Sequence, residues 1–311
     1  MRFAKYYKEH SDLSNTDIAR LIHKDNPKMS VRRAREIIAE ERPPRPDPLK
    51  SSNINLIDNL DLPDGIDESY PDYTITTRNN LIFYDIHIPY HSLETLRAGI
   101  NYGKEHKITG IFLGGDIVDF YALSRFNKDP RRSFKEELDT TKKFLTQLRE
   151  LFPSAEIYFK LGNHEDRLEK FLFSKTPELV GLDQLEIENL LDFGKLRIRK
   201  IQSQQVAKMG HLNVIHGHEY LSGFSAVNIA RNVLLKAFDN VMQGHSHITS
   251  YYPATKINHD IVAGWSVGCG CKLRPTYRCL NNWNNGFAHV TVEDNKDFEV
   301  YNKTVVNGKI Y

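Results

Sequence analysis

Ile108-Thr109-Gly110-Ile111-Phe112-Leu113-Gly114-Gly115-Asp116-Ile117-Val118-Asp119 is an apolar β-type run that breaks at two glycines and ends in two aspartates. The same pattern recurs on both sides of it. Asn80–Tyr84 leads into Asp85-Ile86-His87, and Glu156–Leu161 into Gly162-Asn163-His164-Glu165. Leu212–Ile215 leads into His216-Gly217-His218, and the short run Asn240–Gln243 into Gly244-His245-Ser246-His247. Between these runs Ser92–Lys107, Ser133–Leu151 and Ser222–Phe238 read as helices. Alternating strand and helix predict an α/β layered domain. From Thr249 onward β-rich stretches follow: Tyr251-Tyr252, Ile261-Val262, Phe287–Val292 and Phe298–Val306.

In open α/β sheets the ligand crevice lies outside the carboxyl ends of the strands. The strand ends therefore bring Asp85, His87, Asp116, Asn163, His216, His245 and His247 to one rim. Carboxylate, imidazole and amide oxygen are hard-to-borderline donors, better suited to Mn2+, Zn2+, Fe or Mg2+ than to copper or an iron–sulfur cluster. So many donors exceed the needs of one ion, whereas two ions about 3.5–4 Å apart, bridged by a carboxylate and a hydroxide, use them all. The neighbouring glycines let the chain turn sharply and let backbone approach a bound anion. A lone loop histidine is more often hydrogen-bonded or solvated than a ligand, and His10, His23, His106, His211, His259 and His289 are read that way. His91 and His218 adjoin the blocks and either touch substrate or cap a loop; Cys269 and Cys271 read as a reduced, inert pair.

Taken in order, Asp-x-His, Gly-Asp-x-x-Asp, Gly-Asn-His-Glu, His and Gly-His-x-His resemble the calcineurin-like metallophosphoesterases over residues 80–250. The run Ile86–His91 is similar to bacterial and phage members. The resemblance implies a layered β-sheet sandwich flanked by helices. It implies a first metal ion on Asp85, His87, Asp116 and His247, and a second on Asp116, which bridges, with Asn163, His216 and His245. Mn2+ is the expected ion, with Zn2+, Fe and Mg2+ as alternatives, and a metal-bridging hydroxide attacks phosphorus in line. On the same resemblance His164 faces the leaving oxygen as proton donor, and Asp119 orients it. Relatives acting on phosphoprotein usually carry arginine directly after the second aspartate of Gly-Asp-x-x-Asp, where it clamps a monoester dianion. Here that position is Phe120, followed by a basic stretch from Tyr121 to Arg132. Arg125 is a candidate phosphate contact there, with a solvated loop as the equal alternative.

The blocks lie in a chain of 311 residues, 40% apolar and 26% charged, with net charge +2. Such a composition excludes disordered, collagen-like and coiled-coil proteins. No apolar stretch is long enough to span a membrane, and Met1–Lys8 has no apolar run behind its charges, so no secretory signal is expected. Three cysteines make a disulfide framework impossible and point to a reducing compartment, the cytoplasm. Charge is uneven: +4 over residues 1–45, −5 over 46–78, and +3 beyond. Pro43-Pro44-Arg45-Pro46-Asp47-Pro48 can continue neither a helix nor a central strand. The expected organisation is a helical head over 1–42, a Pro-rich acidic linker over 43–78 and the phosphoesterase domain over 79–311.

The head reads as three short helices, near Phe3–His10, after the Ser14-Asn15-Thr16-Asp17 capping box, and from Ser30. It resembles a helix-turn-helix whose third helix turns Arg32, Arg33 and Arg35 toward nucleic acid, with Lys24 and Lys28 near the backbone. A small bundle docking on protein is the alternative. The functional expectation is a dinuclear metal-dependent phosphoesterase, nuclease-like, acting on phosphodiesters of nucleic acid or nucleotides. The alternatives are a phosphomonoesterase, or a DNA-binding protein with a non-catalytic phosphoesterase scaffold.

Overall fold

The structure, a computed structural model, describes residues 3–42, 62–125, 129, 132–220, 227–275 and 278–311. Internal contacts divide the chain into Met1–Asp67 and Glu68–Tyr311. Residues 43–61 of the expected linker lie outside the described residues.

The first unit contains α1 (Ala4–Glu9), α2 (Asn15–Asp25) and α3 (Val31–Glu41). Ser14 caps α2: its hydroxyl accepts from Asp17 N–H at 3.2 Å and donates to the Asp17 carboxylate at 2.5 Å. Ser30 caps α3 by accepting from Arg33 N–H at 3.3 Å. Ile18, Ala19, Ile22, Ala34 and Ile38 close over Tyr7 as a small core. Ala19, rather than the half-buried Leu21, completes the inner stripe of α2.

In the second unit β2 (Asn79–Phe83), β3 (Gly110–Leu113), β4 (Glu156–Lys160) and β5 (Ile198–Ile201) pair in parallel. The sheet continues antiparallel from β2 through β11 (Asn285–Val292) and β12 (Phe298–Val306) to β13 (Lys309–Ile310). The second sheet runs in the order β1 (Tyr73–Thr74), β6 (Ala207–Met209), β7 (Leu212–Val214), β8 (Val241–Gln243), β10 (Ile261–Ser266), β9 (Ser250–Thr255). The apolar runs of β2 to β4 do not alternate with polar residues because both faces are covered. Ile82, Tyr84, Phe112 and Tyr158 meet Met209, Leu212, Val214 and Met242 of the second sheet. Leu81, Phe83, Ile111, Leu113, Ile157 and Phe159 point the other way. There they pack under α4 (Leu93–Glu105) and α5 (Phe134–Leu151), through Leu96, Leu145 and Leu148. A further helix, α6 (Asp166–Lys175), follows the third strand end, and α7 (Ile229–Ala237) lies on the second sheet, with Val233 against Ile215 and Val241. This is the expected layered β-sheet sandwich flanked by helices.

The end of the expected linker belongs to this body. Tyr73 and Thr74 pair in parallel with Ala207 and Lys208, and Ile75 is buried between the sheets. The β-branched run Thr74-Ile75-Thr76-Thr77 suits an edge strand. The helix expected over 222–238 is described only from its N-cap, Asn228, onward; residues 221–226 lie outside the described residues. Among the described residues no helix is long and apolar enough to cross a membrane.

Candidate metal centre

The rim does not belong to one sheet. The loops after β2, β3 and β4 carry Asp85, His87, Asp116, Asn163 and His164 from the larger sheet. The loops after β7 and β8 bring His216, His245 and His247 from the smaller one. The donors face each other where the two sheets meet. Asp85, His87 and His247 hold ligand atoms within 4.8 Å of one another, and so do Asp116, His216 and His245. The groups adjoin through His87, whose Nε2 is 3.8 Å from Asp116 Oδ2; within its own group it is 3.3 Å from His247 Nε2.

Five of these residues, Asp85, His87, Asp116, His245 and His247, have φ between 49° and 62°. Left-handed backbone is unfavourable for residues with a Cβ and persists where surrounding structure enforces it, commonly at functional sites. The chain is pinned by bonds from Asp85 N–H to Gly115 O (3.1 Å) and from His87 N–H to Asp116 O (2.9 Å). Two glycines are required here by close approach. A Cβ at Gly162 would stand 2.4 Å from Asp116 Oδ1, and one at Gly115 2.5 Å from His216 Nδ1.

The donor atoms fit divalent cations. Asn163 Oδ1 is buried and makes no hydrogen bond, a costly state. Asp85 Oδ1 and His216 Nε2, also buried without one, have only their ion-pair neighbours, His247 Nε2 at 3.2 Å and Asp116 Oδ2 at 3.4 Å. The other nitrogen of each ring is committed elsewhere: His216 Nδ1 to Gly114 O at 3.0 Å, and His87 Nδ1 to Asp119 Oδ1 at 3.0 Å. Both therefore turn Nε2 inward, as a ligating imidazole does. Burial disfavours the His216 and His247 cations. Asp116 at 3.4 Å and Asp85 at 3.2 Å outweigh it, and each ring is pushed up to about 10. Burial and the neighbouring His216 push His245 down to about 4. Burial also opposes the charges of Asp85 and Asp116, yet the facing imidazoles hold both below the ordinary carboxylate range. A buried cluster of carboxylates balanced by imidazole protons is one whose protons a bound metal ion displaces.

His164 stands beside the clusters, with Nε2 3.7 Å from Asp116 Oδ2. Its Nδ1 lies 2.8 Å from Asp119 O and 3.2 Å from Asp119 Oδ1. Asp119 thus holds two rings, His87 and His164. Against its own burial, their hydrogen bonds keep its carboxyl well below the usual range. His218 packs its ring 5.2 Å from that of His216, with Nε2 3.8 Å from Asp166 Oδ2. Arg125 is exposed and adjoins residues 126–128, which lie outside the described residues. Cys269 and Cys271 are buried against His247, with Cys271 Sγ 3.8 Å from His247 Nδ1. Phe120, with φ 46°, is fully buried and stacks on Phe134, so its ring reaches into the core.

Several residues were not singled out by motif. Glu165 accepts from the N–H groups of Asp116 (2.9 Å), Ile117 (2.8 Å), Val118 (3.0 Å) and Gly162 (2.8 Å), tying two strand-end loops together. Burial and Asp116 push it up to about 7, against the donors that favour its charge. Glu137 accepts from Tyr121 N–H, and burial with Asp119 pushes it up to about 7. Arg167 reaches both Asp119 O and His164 Nε2. Its signal in the sequence was its place three residues after His164, at the start of a helical run.

A two-sheet sandwich with paired, buried His/Asp clusters at the strand ends defines a candidate two-metal site. A family model, calcineurin-like phosphoesterase, matches residues 81–266, and the chain belongs to that family. Its members are generally dinuclear metal-dependent enzymes, and the clusters here accord with that. The chain is 24% identical over 229 residues to the gene 54 protein of Mycobacterium phage L5, covering 68% of this chain and 88% of that protein. Among solved structures it is similar to vacuolar protein sorting 29 of Cryptosporidium parvum, with 14% identity and a TM-score of 0.43, covering 76% of this chain and 95% of that one. It is also similar to YfcE, a phosphoesterase from E. coli, with 13% identity and a TM-score of 0.35, covering 72% and 98%.

Proposed function

We propose that this chain hydrolyses phosphodiesters of nucleic acid or nucleotides, with Asp85, His87, Asp116 and His247 holding one divalent ion. Asp116, Asn163, His216 and His245 hold the second, and Mn2+ is the expected metal. The observation that carries the reading is the pair of adjoining buried clusters with orphaned ligand atoms, flanked by an anchored His164. Bound divalent cations supply charge neutralisation at the phosphate and acidify water. Asp119 holds the His164 ring by Nδ1, which leaves Nε2 on the side of Asp116. Burial opposes a charged His164, but Asp116 and Asp119 outweigh it and raise its pKa. A protonated His164 is suited to give its proton to a leaving oxygen. Diester over monoester is supported by Phe120: with its ring in the core, no cation extends from that position to a phosphate dianion.

The head is proposed to hold nucleic acid. Arg32, Arg33 and Arg35 are exposed on α3. Glu36 pairs with Arg32 at 3.3 Å and Arg33 at 3.1 Å, so a backbone phosphate competes with it for both. The connection between α2 and α3 is residues 26–30, longer than the usual 3–4-residue turn. Manganese-loaded protein is assayed on p-nitrophenyl phosphate and bis-p-nitrophenyl phosphate, then on DNA, RNA and cyclic nucleotides. Faster diester turnover is expected, and equal or faster monoester turnover would overturn the preference.

A further inference from the structure

We propose that Arg167 is a substrate-binding residue, its guanidinium taking a non-bridging phosphate oxygen beside His164. The inference builds on the phosphoesterase reading and adds a cation for one non-bridging oxygen, which a diester carries as well as a monoester.

Arg167 lies in the first turn of α6, directly after the Asn163-His164-Glu165 loop, and is half-buried. One terminal nitrogen donates to Asp119 O at 2.8 Å, and the other lies 2.9 Å from His164 Nε2. A guanidinium has five N–H donors and no acceptor. The contacts with Asp119 O and His164 Nε2 engage only part of that donor set, so the guanidinium keeps N–H groups for an anion seated beside His164.

Two further observations point the same way. Among the described residues the Arg167 guanidinium forms no ion pair within 4.0 Å, and Glu137 is the carboxylate whose burial-driven rise in pKa its charge opposes from further off. The neighbouring route for a cation is closed, since Phe120 follows Asp119 into the core while Arg167 grips the carbonyl of that same Asp119. Guanidinium is the side chain best matched to phosphate oxygens. The competing account is structural: Arg167 merely buttresses the His164 ring.

The test uses the full chain, metal-loaded, as wild type, Arg167→Lys and Arg167→Gln. Orthophosphate affinity is measured by calorimetry, metal content by elemental analysis, and kcat and KM on bis-p-nitrophenyl phosphate. Two metal ions are expected to remain, with orthophosphate binding about 10- to 100-fold weaker in Arg167→Gln, the reach of a charged hydrogen bond. KM is expected to rise more than kcat falls, with Arg167→Lys intermediate. Phosphate affinity and KM within twofold of wild type in both variants would overturn the proposal. So would loss of metal or of folding in both variants, which would make Arg167 structural. A wild type that binds orthophosphate but turns over no phosphoester would defeat the phosphoesterase reading alone, because the orthophosphate comparison still decides Arg167.

Discussion

Lys160→Met tests how the fold holds His216 in place. Lys160 ends β4 and is fully buried. Its ammonium donates to the carbonyls of Gln202 (3.2 Å), Ser203 (2.9 Å) and Gln205 (2.8 Å), and lies 3.1 Å from Glu219 Oε1. Glu219 in turn accepts from His216 N–H at 3.0 Å and Gly217 N–H at 2.6 Å. Burial lowers the Lys160 pKa despite Glu219, whereas the burial of Glu219 is outweighed, by Lys160 first, and its carboxyl falls to about 2. Glu219 keeps 20% of its side chain exposed against none for Lys160, and so retains contact with water. The intact pair is worth little net, but removing Lys160 strands a carboxylate and three carbonyls, at about 3–5 kcal/mol. For a body of this size that lowers the melting temperature by about 6–20 °C. Thermal unfolding by circular dichroism measures it, and Lys160→Met/Glu219→Gln is expected to recover most of the loss. The pH dependence also weakens. In wild type Glu219 titrates below its unfolded value of about 4.3. Its stabilisation is therefore present above that pH and lost as pH falls toward 2. Without Lys160 only His218, His216 and the backbone donors oppose burial, so less stability is gained between those pH values. A Lys160→Met protein within about 0.5 kcal/mol of wild type, the scale of an ordinary surface change, with unaltered metal affinity, would refute the reasoning.

His164→Asn is expected to retain both metal ions by elemental analysis while kcat falls by about 10²–10⁴. Asp116→Asn, at the junction of the two clusters, is expected to weaken binding of both ions in calorimetric titration and to abolish turnover. Deleting residues 1–45 is expected to lower salt-sensitive DNA affinity, read by fluorescence anisotropy, and to spare turnover of small diesters; unchanged affinity would end the proposed role of the head.

The strand ends were legible because each joins a buried apolar run to donors of one chemical kind, and no ordinary loop concentrates them so. Phe120 was legible as a departure for the same reason. That the rim draws on two sheets was not, since β2 and β8 look alike as apolar runs and sheet membership depends on long-range pairing. β5 (Ile198-Arg199-Lys200-Ile201) and β6 (Ala207-Lys208-Met209) carry charges within the run and end in no block of donors, so nothing marks them in the sequence. Tyr73–Thr74 was absorbed into the linker by its Pro- and Asp-rich surroundings. Lys160 acts through carbonyls far along the chain, and Arg167 has one distant partner, the Asp119 carbonyl, so spacing hints only at its contact with His164.

Because the donors come from opposite layers, cations seated there would rivet the seam of the sandwich. The free energy of their binding then belongs to the fold as much as to catalysis. A chelator would accordingly do more than silence the enzyme: it would unpin one slab of the body from the other, beginning at the edge where His216, His245 and His247 reach across.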